Sequence, residues 1–534
     1  MIATAANLAW LATRSRAAVR FRRQLHDPAG TQQAVLRDLL RLNAASEFGR
    51  RHGFADIRTP AEFAARVPLA TYEDLEPWID RLRRGEPAVL TTDTVMHLVP
   101  TSGSSGARKL IPFTARLQRE FDRAIGPWIA DLYGRHSSAL FGPAYWSISP
   151  AVGVAKEDSA VPIGFDDDTN YLGGASRRLV AATMAVPPAL RHIRDGETFL
   201  LLTLVCLLRR RNLRLISVWH PSFLLLLLDA LPRHWDILLG ILRNGRLPAA
   251  LSVPAQVEQG LRLGAESTRV RELERIGPNE PSRFWPKLAV ISCWTDVQAA
   301  LGAAALARRF PRVAIQPKGL LATEAFVTIP FEERHPVAVG SHYYEFIDEA
   351  GAIHPVEALA RERIYEVVVS TGGGLWRYRL GDRVRVTGFV GRTPSLQFVG
   401  RAGDVSDLRG EKLSGEFVAR VVKALNLSRL EPARFAMLAP ASSGPAAGYA
   451  LFWEGGVPPP AGEVDRLLAE NPHYAWCRQL GQLRPARVFS ISAGAEAAYF
   501  RRANADGRKL GDIKPAPLVQ TTGWDSCFNG KFLE

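Results

Sequence analysis

A short stretch of the chain, Thr101 to Lys109 (TSGSSGARK), concentrates side chains that can hold a phosphate group. Glycines let the backbone approach phosphate oxygens with its N–H groups turned inward, while hydroxyls and a lysine supply further donors. The residues concerned are Thr101, Ser102, Gly103, Ser104, Ser105, Gly106 and Lys109. A Walker A loop is excluded, because Arg108 precedes this lysine and Leu110 follows it. By composition alone, the stretch is either a flexible connector or a phosphate-binding loop.

Three segments of the chain occur in the order found in adenylate-forming enzymes. TSGSSGARKLIPF resembles the phosphate loop of these enzymes, GLLATEAF (319–326) resembles their second motif, and WRYRLGDRVRV (376–386) resembles their third. In detail the segments resemble the auxin-responsive (Gretchen Hagen) family of acyl acid–amido synthetases. Flanking stretches such as WPKLAVISCW and LQFVGRAGDVSDLRGEKLS are similar as well, so the resemblance extends from about Thr71 to the C-terminus.

The resemblance implies an ATP site assembled from the three motifs. The loop would hold the phosphates, Glu324 would bind Mg²⁺ beside them, and Thr323 would donate to a phosphate. Asp382 would bind the ribose, because its two carboxylate oxygens match a pair of hydroxyls. Leu320 stands where the family commonly carries a tyrosine that stacks on adenine, so about 1–3 kcal/mol of stacking is lost by analogy with other bases. Without the flanking matches, these acids would be interpreted as a surface glutamate and a turn aspartate.

Two basic residues in the last third of the sequence are further candidates. Lys514 lies in RKLGDIKPAPLV, which resembles the segment whose lysine points into the active site during adenylation, so a catalytic role is implied. Arg401 stands where the family's two domains join, and it is either a contact to ribose or phosphate or a solvated linker residue. Because the small domain of adenylate-forming enzymes swings between half-reactions, the resemblance implies a hinge at 401–404. His220 follows a predicted strand and is interpreted as a core or helix-capping histidine.

The elements that position these residues follow from the apolar pattern. HLVP and LIPF bracket the glycine-rich loop and predict two strands that pin it. From about Leu213, short apolar runs alternate with helices, which is typical of a parallel or mixed sheet covered by helices. We therefore predict an α/β fold with a large N-terminal domain, residues 1–400, in which helices cover mixed or parallel sheets. A smaller, mobile α+β domain occupies residues 401–534.

Composition restricts the class of protein further. The net charge of +14 reflects an excess of arginine, which is explained by codon bias, by an anionic ligand, or by weak nonspecific attraction to nucleic acid or membrane. Four scattered cysteines have neither metal-ligand nor disulfide spacing and suit a reducing cytoplasm. The apolar runs at 199–208 and 223–231 are only about half of the ~20 residues that a membrane span needs, and predict core helices. We expect a cytoplasmic monomer without a membrane span.

The predicted reaction is the ATP-dependent activation of a carboxylic acid. The acid forms an acyl-adenylate with Mg·ATP and releases pyrophosphate, and an amine, in particular an amino acid, then takes the acyl group and releases AMP. One alternative is an acyl-CoA synthetase, which shares the first half-reaction. Another is a non-catalytic module that binds nucleotide or RNA through its basic surface, although no specific nucleic-acid partner is predicted. The acid and the amine leave no local motif in the sequence.

Overall fold

The structure is a computed structural model that describes residues 1–101, 109–147, 159–165, 173–193, 195–248, 251, 253–297, 299–402, 405–441, 447–505 and 513–533. The chain folds into two compact units. The first unit comprises Met1–Ser217, Arg233–Ser292 and Arg312–Phe398, and the second comprises Val218–Pro232, Cys293–Pro311 and Val399–Glu534. The predicted hinge stays a prediction, and its residues Gly403 and Asp404 lie outside the described part of the chain.

Helices contribute more residues to the first unit than strands do. They are α1 (Ile2–His26), α2 (Pro28–Asn43), α3 (Glu47–Arg51), α4 (Pro60–Arg66), α5 (Tyr72–Arg83), α6 (Ala115–Arg135), α7 (Gly174–Thr183), α8 (Gly196–Arg209), α10 (Ala255–Leu261), α11 (Ser267–Ile276) and α12 (Pro281–Phe284). Helix α9 (Pro221–Asn244) is divided between the units at Pro232. The second unit contains α13 (Ala299–Arg309), α14 (Gly415–Leu427), α15 (Ala461–Leu468), α16 (Pro472–Gln479) and α17 (Ala495–Ala505).

Three sheets carry the predicted site of the first unit. A hairpin joins β1 (Val95–Pro100) to β2 (Leu110–Thr114). A four-stranded sheet has the order β3 (Ala144–Trp146), β4 (Leu215–Ser217), β5 (Val290–Cys293) and β6 (Ala314–Pro317), and its first three strands are parallel. A five-stranded sheet has the order β11 (Thr393–Arg401), β10 (Tyr378–Val390), β9 (Ile364–Ser370), β7 (Tyr343–Ile347) and β8 (Ile353–Pro355).

The second unit has an α+β pattern. Strands β12 (Val405–Ser406) and β13 (Leu413–Ser414) pair with each other. The main sheet has the order β14 (Phe435–Pro440), β15 (Tyr449–Glu454), β16 (Arg487–Ile491) and β17 (Gly530–Phe532). Helices α14, α15 and α16 contribute apolar residues to the core on this sheet. The mixture of helices and mainly antiparallel strands agrees with the pattern expected from the sequence after residue 401.

The two long apolar runs are core helices, as predicted. Helix α8 buries its side chains from Leu201 to Leu208, and the first half of α9 buries those from Phe223 to Leu228. Within the described ranges, no helix is long and apolar enough to cross a membrane. Residence in the cytoplasm and the monomeric state stay predictions.

Candidate active site

The glycine-rich loop begins and ends on the predicted pair of strands. Strands β1 and β2 are antiparallel, with Pro100 opposite Leu110. The Thr101 amide donates to the Lys109 carbonyl at 2.9 Å and closes the base of the loop. The prediction that two strands pin this loop is therefore confirmed. Its central residues, Ser102 to Gly106, lie outside the described part of the chain.

Lys109 is held at the base of the loop by the first turn of α5. Its ammonium lies 5.4 Å from the centre of the Tyr72 ring and 3.8 Å from Oε1 of Glu73. The Tyr72 hydroxyl accepts a hydrogen bond from the Leu110 amide at 2.9 Å, and burial raises the pKa of this hydroxyl. A capping box fixes the start of α5. Tyr72 and Glu73 lie in this first turn and are thereby positioned beside Lys109. The described base of the loop therefore carries the Lys109 cation.

The second motif forms a tight hairpin with Glu324 at its tip. Leu321 and Phe326 pair across it as an antiparallel bridge, and the Ala322 amide donates to the Ala325 carbonyl at 2.9 Å. A glycine is required at position 319, because a Cβ there would lie 2.3 Å from the Thr328 carbonyl oxygen. Glu324 is only 6% exposed. Its carboxylate is thus carried by a short, hydrogen-bonded element, which favours a fixed ligand position.

The donor chemistry of this hairpin tip is compatible with Mg²⁺ carried by a nucleotide. Mg²⁺ is usually bound by one or two carboxylates together with substrate phosphates, rather than by a cage of protein ligands. Among the described residues, no group of three or more His, Cys, Asp or Glu residues could hold a metal ion. A single buried carboxylate, Glu324, therefore fits a shared ion better than a metal site made of protein ligands alone.

The third motif departs from regular strand pairing where Asp382 stands. On both sides of this point β10 is in register with β9, but residues 380–382 lie opposite Val367 alone. Gly381 has a φ of 74°, a backbone conformation that favours glycine. Such bulges redirect side chains and are common beside active sites. Asp382 is 6% exposed, so the bulge places its carboxylate in a buried position.

The three motif segments are connected through one turn, which we call the glycine turn (residues 372–374). The Thr114 hydroxyl, at the end of β2, donates to the Gly372 carbonyl at 3.0 Å. A Cβ on Gly373 would lie 2.6 Å from the Pro112 carbonyl, so this turn and β2 are in close contact. The turn leads directly into the third motif. Glu120 of α6 accepts from the Gly372 amide at 2.9 Å and from Nδ1 of His342 at 2.9 Å.

His342 completes the connection to the second motif. Its Nε2 atom accepts a hydrogen bond from the Phe326 amide at 3.2 Å, two residues after Glu324 in the hairpin. Glu120 is 3% exposed and His342 is fully buried. The first, second and third motifs are therefore linked by short polar contacts, although they are far apart in the sequence.

A second polar group lies at the carboxyl ends of the parallel strands, where ligands bind in open α/β sheets. Lys318 follows β6 directly, is 6% exposed, and donates from Nζ to the Ser217 hydroxyl at 2.9 Å. Its ammonium also lies 5.6 Å from the centre of the Trp128 ring. The buried hydroxyl oxygen of Ser147 has no hydrogen-bond partner among the described residues. This edge of the sheet combines a cation with hydroxyl donors.

The second unit holds Lys514 against aromatic side chains. The Lys514 ammonium lies 4.0 Å from the centre of the Trp294 ring, and the rings of Trp294 and Trp219 are 5.5 Å apart. Burial and, secondly, the charge of Lys514 lower the pKa of His220 to about 3. His220 is therefore neutral near pH 7. Its Nδ1 accepts from the Ser222 amide at 3.3 Å at the start of α9, which confirms the interpretation as a buried, helix-capping residue.

The remaining predicted residues occupy unremarkable backbone positions. Leu320 is partly buried, packs on the core of the first unit, and accepts from the amides of Val327 and Thr328. Thr323 is partly buried at the hairpin tip next to Glu324. Arg401 is the last residue of β11 and is exposed. Their ligand contacts stay predictions.

Sequence reasoning did not identify Glu120, His342 or Lys318. The partners of Glu120 are 222 and 252 residues away, so no local pattern could have found them. Lys318 did leave a signal, because a lysine directly follows the predicted strand VAIQP and precedes the second motif.

Two family models match the chain. The GH3 family N-terminal domain matches residues 17–315, which is more than half of the chain, and the GH3 family central domain matches residues 336–401. This chain belongs to the GH3 family. The predicted membership of this family is thus confirmed.

Curated and solved GH3 proteins resemble the chain over most of its length. It is 26% identical over 577 residues to the probable indole-3-acetic acid-amido synthetase GH3.12 of Oryza sativa subsp. japonica, covering 92% of each protein. It is 26% identical over 484 residues to the indole-3-acetic acid-amido synthetase GH3.15 of Arabidopsis thaliana, covering 79% of this chain and 77% of the relative.

A solved GH3 structure has the same fold. AtGH3.15 acyl acid amido synthetase in complex with 2,4-DB matches with a TM-score of 0.83 at 21% identity, covering 94% of each chain. The predicted α/β fold class is confirmed by this match. The names of the curated relatives agree with the predicted enzyme class.

Proposed function

We propose that this GH3 protein is an acyl acid–amido synthetase that adenylates a carboxylic acid with ATP and transfers the acyl group to an amino acid. A carboxylate oxygen attacks the α-phosphorus of ATP, the bond to the bridging oxygen breaks, and pyrophosphate leaves. The amine nitrogen then attacks the acyl carbon, AMP leaves, and the amine loses a proton to solvent. The observation that carries this proposal is the set of hydrogen bonds, through Glu120 and His342, that connects the three motif segments by way of the glycine turn.

The first unit supplies the groups that the nucleotide needs. The glycine- and serine-rich sequence between β1 and β2 would supply amides and hydroxyls for the phosphates, and Lys109, directly before β2, would supply a cation. Asp382, redirected by the bulge, binds the ribose hydroxyls. Leu320 covers one face of adenine without aromatic stacking. Positioning and charge neutralisation, rather than a covalent enzyme intermediate, then lower the barrier.

Glu324 is the residue that would hold Mg²⁺ at the phosphates. When bound, the ion offsets the negative charge of the phosphate oxygens. The hairpin carries Glu324 at its tip, and Thr323 beside it would donate to a phosphate oxygen. A divalent ion without ATP should bind weakly, because a single protein carboxylate supplies few of its ligands.

The acid is proposed to bind at the carboxyl ends of the parallel strands. Lys318 provides a cation for the carboxylate, and the hydroxyls of Ser217 and Ser147 provide further donors. Within the second unit, Lys514 is assigned to the charge that develops during adenylation, as the family resemblance implies. Trp294 holds its ammonium in place by a cation–π contact.

The decisive experiment is ATP–pyrophosphate exchange with a panel of carboxylic acids. At least one acid should support exchange, and a mixture of amino acids should then yield an amide product detectable by mass spectrometry. Glu324→Gln and Asp382→Asn should each lower exchange by about tenfold or more. The exposed acids Glu258 and Asp38 provide matched controls, since Glu258→Gln and Asp38→Asn should leave exchange unchanged.

Each alternative has a distinct result in the same experiment. If coenzyme A gives a thioester and no amino acid gives an amide, the protein is an acyl-CoA synthetase. If no acid supports pyrophosphate exchange but the protein binds RNA, the non-catalytic binding module is favoured and the enzyme proposal fails. Lys318→Met should raise the KM for the acid about tenfold and leave the KM for ATP unchanged, because it removes one charged hydrogen bond. Equal changes in both KM values would contradict the assigned acid site.

A further inference from the structure

We propose that Glu120 and His342 form a positioning pair that aligns the Glu324 hairpin with the glycine turn before Asp382. The pair acts by holding His342 in one neutral tautomer. Neither residue belongs to the three motifs. The inference rests on the proposed function, since the alignment matters only if Glu324 and Asp382 serve the same nucleotide.

The carboxylate of Glu120 has partners on two separate elements. Both of its oxygens lie within hydrogen-bond distance of the Gly372 amide, at 2.9 and 3.1 Å, and Oε2 also lies 2.9 Å from Nδ1 of His342. A side chain at position 372 would prevent this, because a Cβ there would lie 2.5 Å from Oε1 of Glu120. Glycine at this position therefore lets the carboxylate reach the backbone.

The tautomer of His342 follows from its second contact. The Phe326 amide can only donate, so Nε2 of His342 must present a lone pair at 3.2 Å. The ring proton is then on Nδ1, where it donates to Glu120. An ionised carboxylate has no proton to offer, and it accepts from the ring and from the Gly372 amide together. Glu120 thus selects the tautomer that Phe326 requires.

The consequence reaches Glu324 through a short path. Phe326 is two residues after Glu324 and pairs with Leu321 across the hairpin. If Nε2 carried the proton, it would face the Phe326 amide and push this strand of the hairpin away. The hairpin tip would then lose its alignment with the glycine turn, although the Glu324 and Asp382 side chains would themselves be unchanged. Metal ligands commonly depend on such supporting contacts.

The test compares two substitutions of His342, each of which keeps one of its two hydrogen bonds. In His342→Gln the side-chain oxygen can replace Nε2 and accept from Phe326, whereas in His342→Asn the amide nitrogen can replace Nδ1 and donate to Glu120 while the acceptor is lost. We expect His342→Asn to raise the Mg²⁺ concentration for half-maximal pyrophosphate exchange by about tenfold or more. His342→Gln should stay within about threefold of the wild-type protein, and the KM for the acid should change in neither.

A structural role alone would give a different pattern. If both variants lowered kcat equally with an unchanged Mg²⁺ dependence, the positioning pair would be refuted. His354 supplies a matched control, because it pairs with the carboxylate of Asp348 at 2.8 Å without contacting a motif. His354→Asn should leave the Mg²⁺ dependence unchanged.

A second measurement decides the inference without catalysis. Hydrogen–deuterium exchange of the Phe326 amide should be faster in His342→Asn and close to wild type in His342→Gln. If wild-type protein shows no pyrophosphate exchange with any acid, the proposed function fails, but amide exchange and calorimetric binding of Mg·ATP still test the pair. Equal protection of the Phe326 amide in both variants would overturn the inference.

Discussion

Two buried histidines, His342 in the first unit and His220 in the second, both accept a hydrogen bond from a backbone amide but differ in their other partners. Each ring accepts a backbone N–H, but His342 does so with Nε2 and His220 with Nδ1, so the two rings carry opposite tautomers. His342 connects segments that are distant in sequence, whereas His220 contacts Ser222, two residues away.

The difference separates a local device from a tertiary one. A histidine before a helix can cap it with any surroundings, because its partner follows in the chain. His342 depends on the Glu120 carboxylate of α6, and its hydrogen bond to this carboxylate is lost if the helix moves. We therefore expect substitutions at His342 to affect the candidate active site, and substitutions at His220 to affect only the start of α9.

Removing the carboxylate of the long-range pair should have the largest effect on stability. Glu120→Ala leaves the Gly372 amide and Nδ1 of His342 buried without their acceptor. At about 1–3 kcal/mol for each unsatisfied donor, we expect the free energy of unfolding to fall by about 4 kcal/mol. Urea titration followed by tryptophan fluorescence would measure this. His354→Ala, which removes only the partly exposed imidazole that pairs with Asp348, should cost about 1 kcal/mol or less.

Acid titration should reveal the buried, neutral state of His220. Its pKa in the folded protein is about 3, below the usual value of 6.5, so between these values the unfolded chain binds the proton more tightly. Stability is then present above pH 6.5 and is lost as the pH falls, by about 1.4 kcal/mol per pH unit. His220→Asn keeps an acceptor for the Ser222 amide but does not titrate. Its stability should fall less than that of the wild type between pH 6.5 and 5, and equal slopes would contradict the assignment.

The local contact of His220 should be worth less than either effect above. Ser222→Ala removes the hydroxyl that lies 2.6 Å from Nδ1 but leaves the backbone amide in place. We expect a loss of about 1 kcal/mol in the free energy of unfolding. Ser526→Ala removes an exposed hydroxyl of the same unit and serves as the control. A loss as large as that of Glu120→Ala would show that His220 also stabilises contacts between segments that are distant in the sequence.

The smallest expected effect is a change in one pKa. Lys514 is the second cause, after burial, of the low pKa of His220. Lys514→Met should therefore raise this pKa while leaving it below 6.5, as measured by NMR titration of the imidazole. Because Lys514 is also assigned to adenylation, pyrophosphate exchange should fall in the same variant. An unchanged pKa together with lost exchange would separate the electrostatic contact from the catalytic assignment.

Much of the fold could be predicted because its signals are local. The strands around the loop, the core helices α8 and α9, and the cap at His220 depend on residues a few positions apart. The motifs also located Glu324 and Asp382, and both are buried in irregular elements. What the sequence could not supply was the support behind them, since Glu120 contacts Gly372 across 252 residues.

By itself, the sequence determined the α/β class, the family and the order of the three motifs, because side-chain type, glycine placement and apolar periodicity act over short distances. Only the tertiary structure decided how α6 and the residue before β7 bring a carboxylate and an imidazole between these motifs, and which ring nitrogen carries the proton. The physical reason is that a buried hydrogen bond depends on where two distant backbones meet, and the packing of the whole first unit sets that position.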